Sequence, residues 1–166
     1  MFLEFFPGKY DGKYNPHSVY IRLNAIDLIS NCLYIANNKY DFSAKTTVYL
    51  KENGQIQLLR DQLQIRFTEI FDGKDFSGKF IPELINDLKE YKDEILIMLQ
   101  DLISWIDKLK ENELTIIETQ YKFADMMSDH SDEIIYRNGK PIGKFTHNIP
   151  KDIKIICYEK CGKKGD

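Results

Sequence analysis

Nine positions, Ile81, Ile85, Leu88, Lys92, Ile95, Leu99, Leu102, Ile106 and Leu109, follow one another at spacings of four and three. Eight are apolar and the ninth is a lysine. A period near 3.6 puts all nine on one side of an α-helix and on both sides of a β-strand, so this stretch constrains the fold more than any other. Pro82 suits the first turn, where its missing N–H leaves no bond unmade. The spacing predicts a helix over Pro82–Lys110, about 42 Å long at 1.5 Å per residue. Asn112 is a plausible stop. Leu114, Ile117, Tyr121 and Ala124 then continue at helical spacing to near Met127, which predicts a helical hairpin over residues 82–127.

The rest of the chain reads as β-structure. Val19, Ile21 and Leu23 alternate within Ser18–Leu23. Ile26, Ile29, Leu33 and Ala36 suit a helix capped by Asn24, or a short buried strand. Asn53-Gly54 lies between two alternating segments, Thr46–Lys51 and Gln55–Arg60, and predicts a β-hairpin, because both residues tolerate positive φ. Leu63, Ile65 and Phe67 extend the alternation into a third strand, Leu63–Phe71. Asn138-Gly139 marks a second hairpin over Glu133–Phe145, with Pro141 pointing to an edge strand. Asp152–Glu159 reads as a last strand. The expected fold is a single α+β domain over 1–166. An antiparallel β-meander (18–71) and a C-terminal hairpin and strand (133–159) pack on the helical hairpin.

Composition narrows the class. Leu, Ile, Val and Phe make up 49 of the 166 residues, above the level of disordered chains, so a packed core is expected. The most apolar stretch, Ile95–Ile106, is interrupted by Gln100, Asp101 and Ser104, which excludes a membrane span. The N-terminus has no basic segment ahead of its apolar run, so no signal peptide is expected. Three cysteines, an odd number, suit a reducing cytoplasm. Cys157 and Cys161 lack neighbouring ligands for zinc, and the three histidines form no helical metal motif, so no metal and no cofactor are expected. Phosphate-loop, dinucleotide and serine-hydrolase motifs are missing from the sequence. Ser128–Asp132 holds the letters of a serine triad, but triads assemble from distant positions and this segment reads as a polar turn. Glu69, Asp72 and Asp75 read as a hydrated loop in preference to a carboxylate cluster.

Charge is distributed unevenly. Residues 82–133 carry a net −9, whereas 1–81 carry +1 and 134–166 carry +5. The predicted long helix presents Glu83, Asp87, Glu90, Glu94 and Asp101 away from its apolar line. Like charges four apart destabilise a helix by about 0.2–0.5 kcal/mol per pair, so an acidic stripe of this kind suggests a surface kept for a cationic partner. Trp105, off the apolar line, would supply an anchoring contact. The functional expectation is therefore a non-catalytic protein-binding module. It is analogous in charge and size to small immunity or antitoxin proteins, and its partner would be a basic protein such as a nuclease-like toxin. Nucleic acid is disfavoured by the acidic total, despite the lysine-rich tail. A small enzyme or ligand-binding protein with a pocket between sheet and helices is the alternative. A homo-oligomer joined through the long helix is a third reading.

Overall fold

The computed structural model describes residues 2–11, 15–37, 48–51, 54–110, 112–120, 132–137, 140–146 and 154–158. It is a mixed α+β structure with seven strands and four helices among these residues. In chain order they are β1 (Phe2–Pro7), β2 (Val19–Arg22), α1 (Leu23–Ala36), β3 (Val48–Leu50), α2 (Gln55–Phe71), α3 (Pro82–Glu90), α4 (Lys92–Asp107), β4 (Leu114–Gln120), β5 (Asp132–Arg137), β6 (Lys140–Thr146) and β7 (Lys154–Ile156).

The sheet runs β6-β5-β4-β1-β2-β7, and β3 also pairs with β4. It is not the expected meander. The N-terminal strand β1 lies inside it, antiparallel to both β2 (Leu3↔Ile21, Phe5↔Val19) and β4 (Phe5↔Ile116, Pro7↔Leu114). β7 pairs parallel to β2, which makes the sheet mixed. Alternation along β1 puts Leu3 and Phe5 into the same core as Val19, Ile21, Leu114 and Ile116, under α1 and α4. On the other face Glu4 is also buried and accepts a hydrogen bond from the Tyr20 hydroxyl at 3.4 Å. β5 and β6 pair antiparallel, with Arg137 opposite Lys140 and Pro141 on β6, the last strand of the order. The linking Asn138-Gly139 lies outside the described residues.

Three expected elements differ from the structure. The first is Gln55–Phe71, expected as two strands and in fact the continuous helix α2. Leu59, Leu63, Arg66 and Ile70 are its buried residues, at spacings of four, three and four. Its Gln, Leu and Arg residues, unbranched at Cβ, suit a helix better than a strand. The alternation of Leu63, Ile65 and Phe67 masked that period; Ile65 ends up exposed on the far side. Gly54, φ +77°, stands at the α2 N-cap rather than in a hairpin turn, and only glycine adopts that φ at little cost.

The second is the long helix, which breaks at Tyr91 (φ −118°, ψ 29°). Tyr91 donates its N–H to the Asp87 carbonyl at 2.7 Å and accepts from the Ile95 N–H at 2.9 Å, so it closes α3 and opens α4. The break falls beside Lys92, the polar member of the apolar line. It also changes which residues α3 buries: Leu84 and Asp87 are buried, while Ile81 is exposed. α4 keeps Ile95, Leu99, Leu102 and Ile106 inside as the spacing required, with Met98 and Ile103 beside them.

The third is the helical hairpin. Leu114–Gln120 is the strand β4, paired to β1, β3 and β5. Its sequence LTIIETQ is rich in β-branched residues, which lose less freedom in a strand than in a helix. The continuation from Tyr121 to Met127 lies outside the described residues, as do Ser128–Ser131, His130, His147 and Cys161. The segment Ile26–Ala36, left open between helix and strand, is helical.

Candidate functional site

Two regions carry the polar chemistry of the described residues. The first is the outer surface of α3 and α4. Glu83, Glu90, Asp93 and Asp101 are exposed, and Glu94 is half-buried. None of the five makes an ion pair among the described residues. Lys92, next to Asp93 in sequence, directs its Nζ to the Phe71 carbonyl at 3.2 Å. At the centre of the α4 surface is Ile97, 62% exposed. Residues three and four positions away on a helix are its surface neighbours. For Ile97 these are Asp93, Glu94, Gln100 and Asp101. An apolar side chain thus stands among three carboxylates and an amide.

Not every acidic residue of the predicted stripe belongs to this surface. Asp87 is only 7% exposed and accepts a hydrogen bond from the Tyr158 hydroxyl at 2.8 Å. Its carboxylate joins α3 to the segment after β7, with the Tyr91 and Tyr158 rings 5.9 Å apart beside it. Asp107, at the end of α4, is bound by Arg60 of α2 through Nε at 3.0 Å and Nη2 at 3.3 Å. That hydrogen bonding, and then the Asp107 charge, hold the Arg60 pKa above its usual value. Trp105 turns inward. Its Nε1 donates to the His17 carbonyl at 3.0 Å, and its ring meets Phe5 edge-on at 6.1 Å. Glu83, Glu90, Glu94 and Asp101 therefore stay on the surface, while Asp87 and Trp105 serve the fold's own contacts.

The second region was not legible as a site in the sequence. A cleft of about 580 Å³ opens between α1, α2 and the 72–81 connection. Arg66 of α2, 7% exposed, lies in its wall. Nη1 donates to the Leu28 carbonyl at 2.7 Å, Nη2 to Asn31 Oδ1 at 2.8 Å, and Nε to Glu69 Oε1 at 3.3 Å. The guanidinium carbon lies 4.9 Å from the Phe80 ring centre and 5.4 Å from that of Phe76. Those rings stack at 4.8 Å. Glu69 also binds Lys74. Partial burial pushes the Glu69 carboxyl up, but the Lys74 hydrogen bond and charge, with Arg66, outweigh it and leave its pKa below the usual range. Asp75 accepts from the Ser77 N–H at 2.9 Å, and hydrogen bonds from Ser77 lower its pKa as well. Glu69 is therefore held in the last turn of α2 by Arg66 and Lys74, and only Asp72 and Asp75 lie in the exposed turn that follows. Among the described residues no group of three His, Cys, Asp or Glu side chains is placed to hold a metal.

Cys32 also lines the cleft. Burial, chiefly, pushes its thiol up to about 11, and its Sγ contacts the Gln62 carbonyl at 3.6 Å. A thiol so protonated is a poor nucleophile at neutral pH. Among the described residues no helix is long and apolar enough to cross a membrane. Comparison with protein-family models, with curated proteins and with solved structures finds no match.

Proposed function

We propose that the chain is a protein-binding module, of the kind that immunity and antitoxin proteins exemplify, which uses the α3–α4 surface to cover a basic patch on another protein. The carrying observation is the group of carboxylates around Ile97, with no cation of the described chain paired to them. Exposed unpaired charge steers an oppositely charged partner into encounter, and an apolar side chain among the charges gives the docked state an anchor. A nuclease-like protein, basic where it holds nucleic acid, has complementary chemistry.

The experiment is a capture from cells of the source organism with the wild-type chain as bait, beside a Glu94→Lys/Asp101→Lys variant. The expected result is a basic protein held by the wild type and lost by the variant, with an association rate that falls steeply as salt rises. Equal capture by both chains, or a rate indifferent to salt, would remove the reading.

A further inference from the structure

We propose that the cleft beside Arg66 is a binding site for a small organic carboxylate with an apolar body. Three observations converge. The first is unused donor capacity. A guanidinium carries five N–H groups, and Arg66 engages three, which leaves two in a group that lines the cleft.

The second is charge. The lining cations are Arg66, Lys74 and Lys79, and the lining anions are Glu69 and Asp27. Glu69 is shared by Arg66 and Lys74. Lys79 sits alongside Lys74 and has no carboxylate partner among the described residues. The lining is therefore one positive charge in excess, which matches a monoanion better than a dianion.

The third is the exposed apolar surface. Ile65 of α2 is 49% exposed and Ile81 at the start of α3 is 56% exposed, and both line the cleft. A ligand body lying between them would remove both from water. The volume falls within the usual range for small-molecule sites, about 300–1,000 Å³. In this arrangement the carboxylate meets Lys79 and the spare Arg66 N–H groups. The apolar body covers Ile65 and Ile81.

The test is a titration of the isotope-labelled full chain, followed by its amide resonances, with four probes: phenylacetate, phenylacetamide, acetate and inorganic phosphate. Phenylacetate is expected to shift Asn31, Ile65 and Lys79 saturably. The neutral phenylacetamide and the bare acetate should each bind about tenfold more weakly. Lys79→Gln, a substitution on an exposed connection, should weaken phenylacetate by about fivefold and leave resonances remote from the cleft unmoved. The site is overturned if no probe gives a saturable shift, if phenylacetamide equals phenylacetate, or if Lys79→Gln changes nothing. Inorganic phosphate binding more tightly than phenylacetate would likewise overturn the assignment to a carboxylate. Glu94→Lys/Asp101→Lys should leave this binding unchanged, so the cleft stands or falls separately from the acidic surface.

Discussion

The cleft around Arg66 and the outer surface of α3–α4 are both rich in charge, and they use it in opposite ways. In the cleft, Arg66, Glu69 and Lys74 bind one another, the backbone of α1 and two aromatic rings. On the outer surface Glu83, Glu90, Asp93, Glu94 and Asp101 bind nothing among the described residues. Charge committed to the fold costs stability when removed. Charge left to solvent can be removed almost freely and is available to a partner. Asp87 shows why the two kinds must be separated residue by residue. It belongs to the acidic series by sequence and to the committed kind by burial.

The comparison breaks most visibly if Arg66 is dispensable. Arg66→Met removes three hydrogen bonds and leaves the Leu28 carbonyl, the Asn31 amide oxygen and the Glu69 carboxylate short of a donor. Loss of one member of a buried charged network typically costs about 3–5 kcal/mol. Urea unfolding should show that loss, and a cost below about 1 kcal/mol would mean that the cleft's charges are no more committed than those outside.

Tyr158→Phe comes next. It leaves the buried Asp87 carboxylate without the 2.8 Å bond from the phenol. A hydrogen bond to a charged group contributes about 1.5–3 kcal/mol, and the thermal midpoint should fall accordingly. Glu83→Gln, next to buried Leu84 and four residues from buried Asp87 but itself exposed, should stay within about 0.5 kcal/mol.

Glu69 gives a smaller effect with a definite pH dependence. Its folded pKa is lowered from an ordinary value of 4.5. Its ionised form therefore favours the fold. That contribution is complete above the unfolded pKa and is lost as pH falls through the folded one. Partly exposed pairs contribute about 0–1 kcal/mol. Stability measured from neutral pH downward should decline below about pH 4.5, and Glu69→Gln should decline less steeply over the same interval.

How much of this was legible beforehand follows from which signals were local. The inward line Ile95, Leu99, Leu102 and Ile106 is a property of spacing alone, and α4 obeys it. The break at Tyr91 sits beside a contact between α3 and a tyrosine some seventy residues later in the chain, and spacing carries no trace of that contact. β4 became a strand because β1 offers it a ladder as well as because its residues are β-branched. In α2, two periods competed within one segment, and tertiary contact with α1 and α4 selected the helical one. The cleft was hidden for a related reason. Arg66 stood in an expected strand, and its partners Leu28 and Asn31 lie far away in sequence, so no motif could join them.

The break at Tyr91 also changes the meaning of the acidic stripe, and this yields the finest test. In one long helix Glu90 and Glu94 would repel as a pair four apart. In the structure Asp93 and Glu94 occupy the first turn of α4, and Glu83 the first turn of α3. Negative charge there is favoured by the helix dipole, by about 0.3–1 kcal/mol per group. Those three residues therefore have a reason to be acidic without any partner. Asp101 has none: it sits in mid-helix, exposed and unpaired. Glu94→Gln should lower stability by a few tenths of a kcal/mol at low salt, as expected for loss of a dipole contact, whereas Asp101→Asn should leave it unchanged. Partner association should respond in a different order, with Asp101→Lys slowing it at least as much as Glu94→Lys because steering depends on exposed potential. If instead Asp101→Lys slows association no more than Asp101→Asn does, the acids of this surface do not steer a partner.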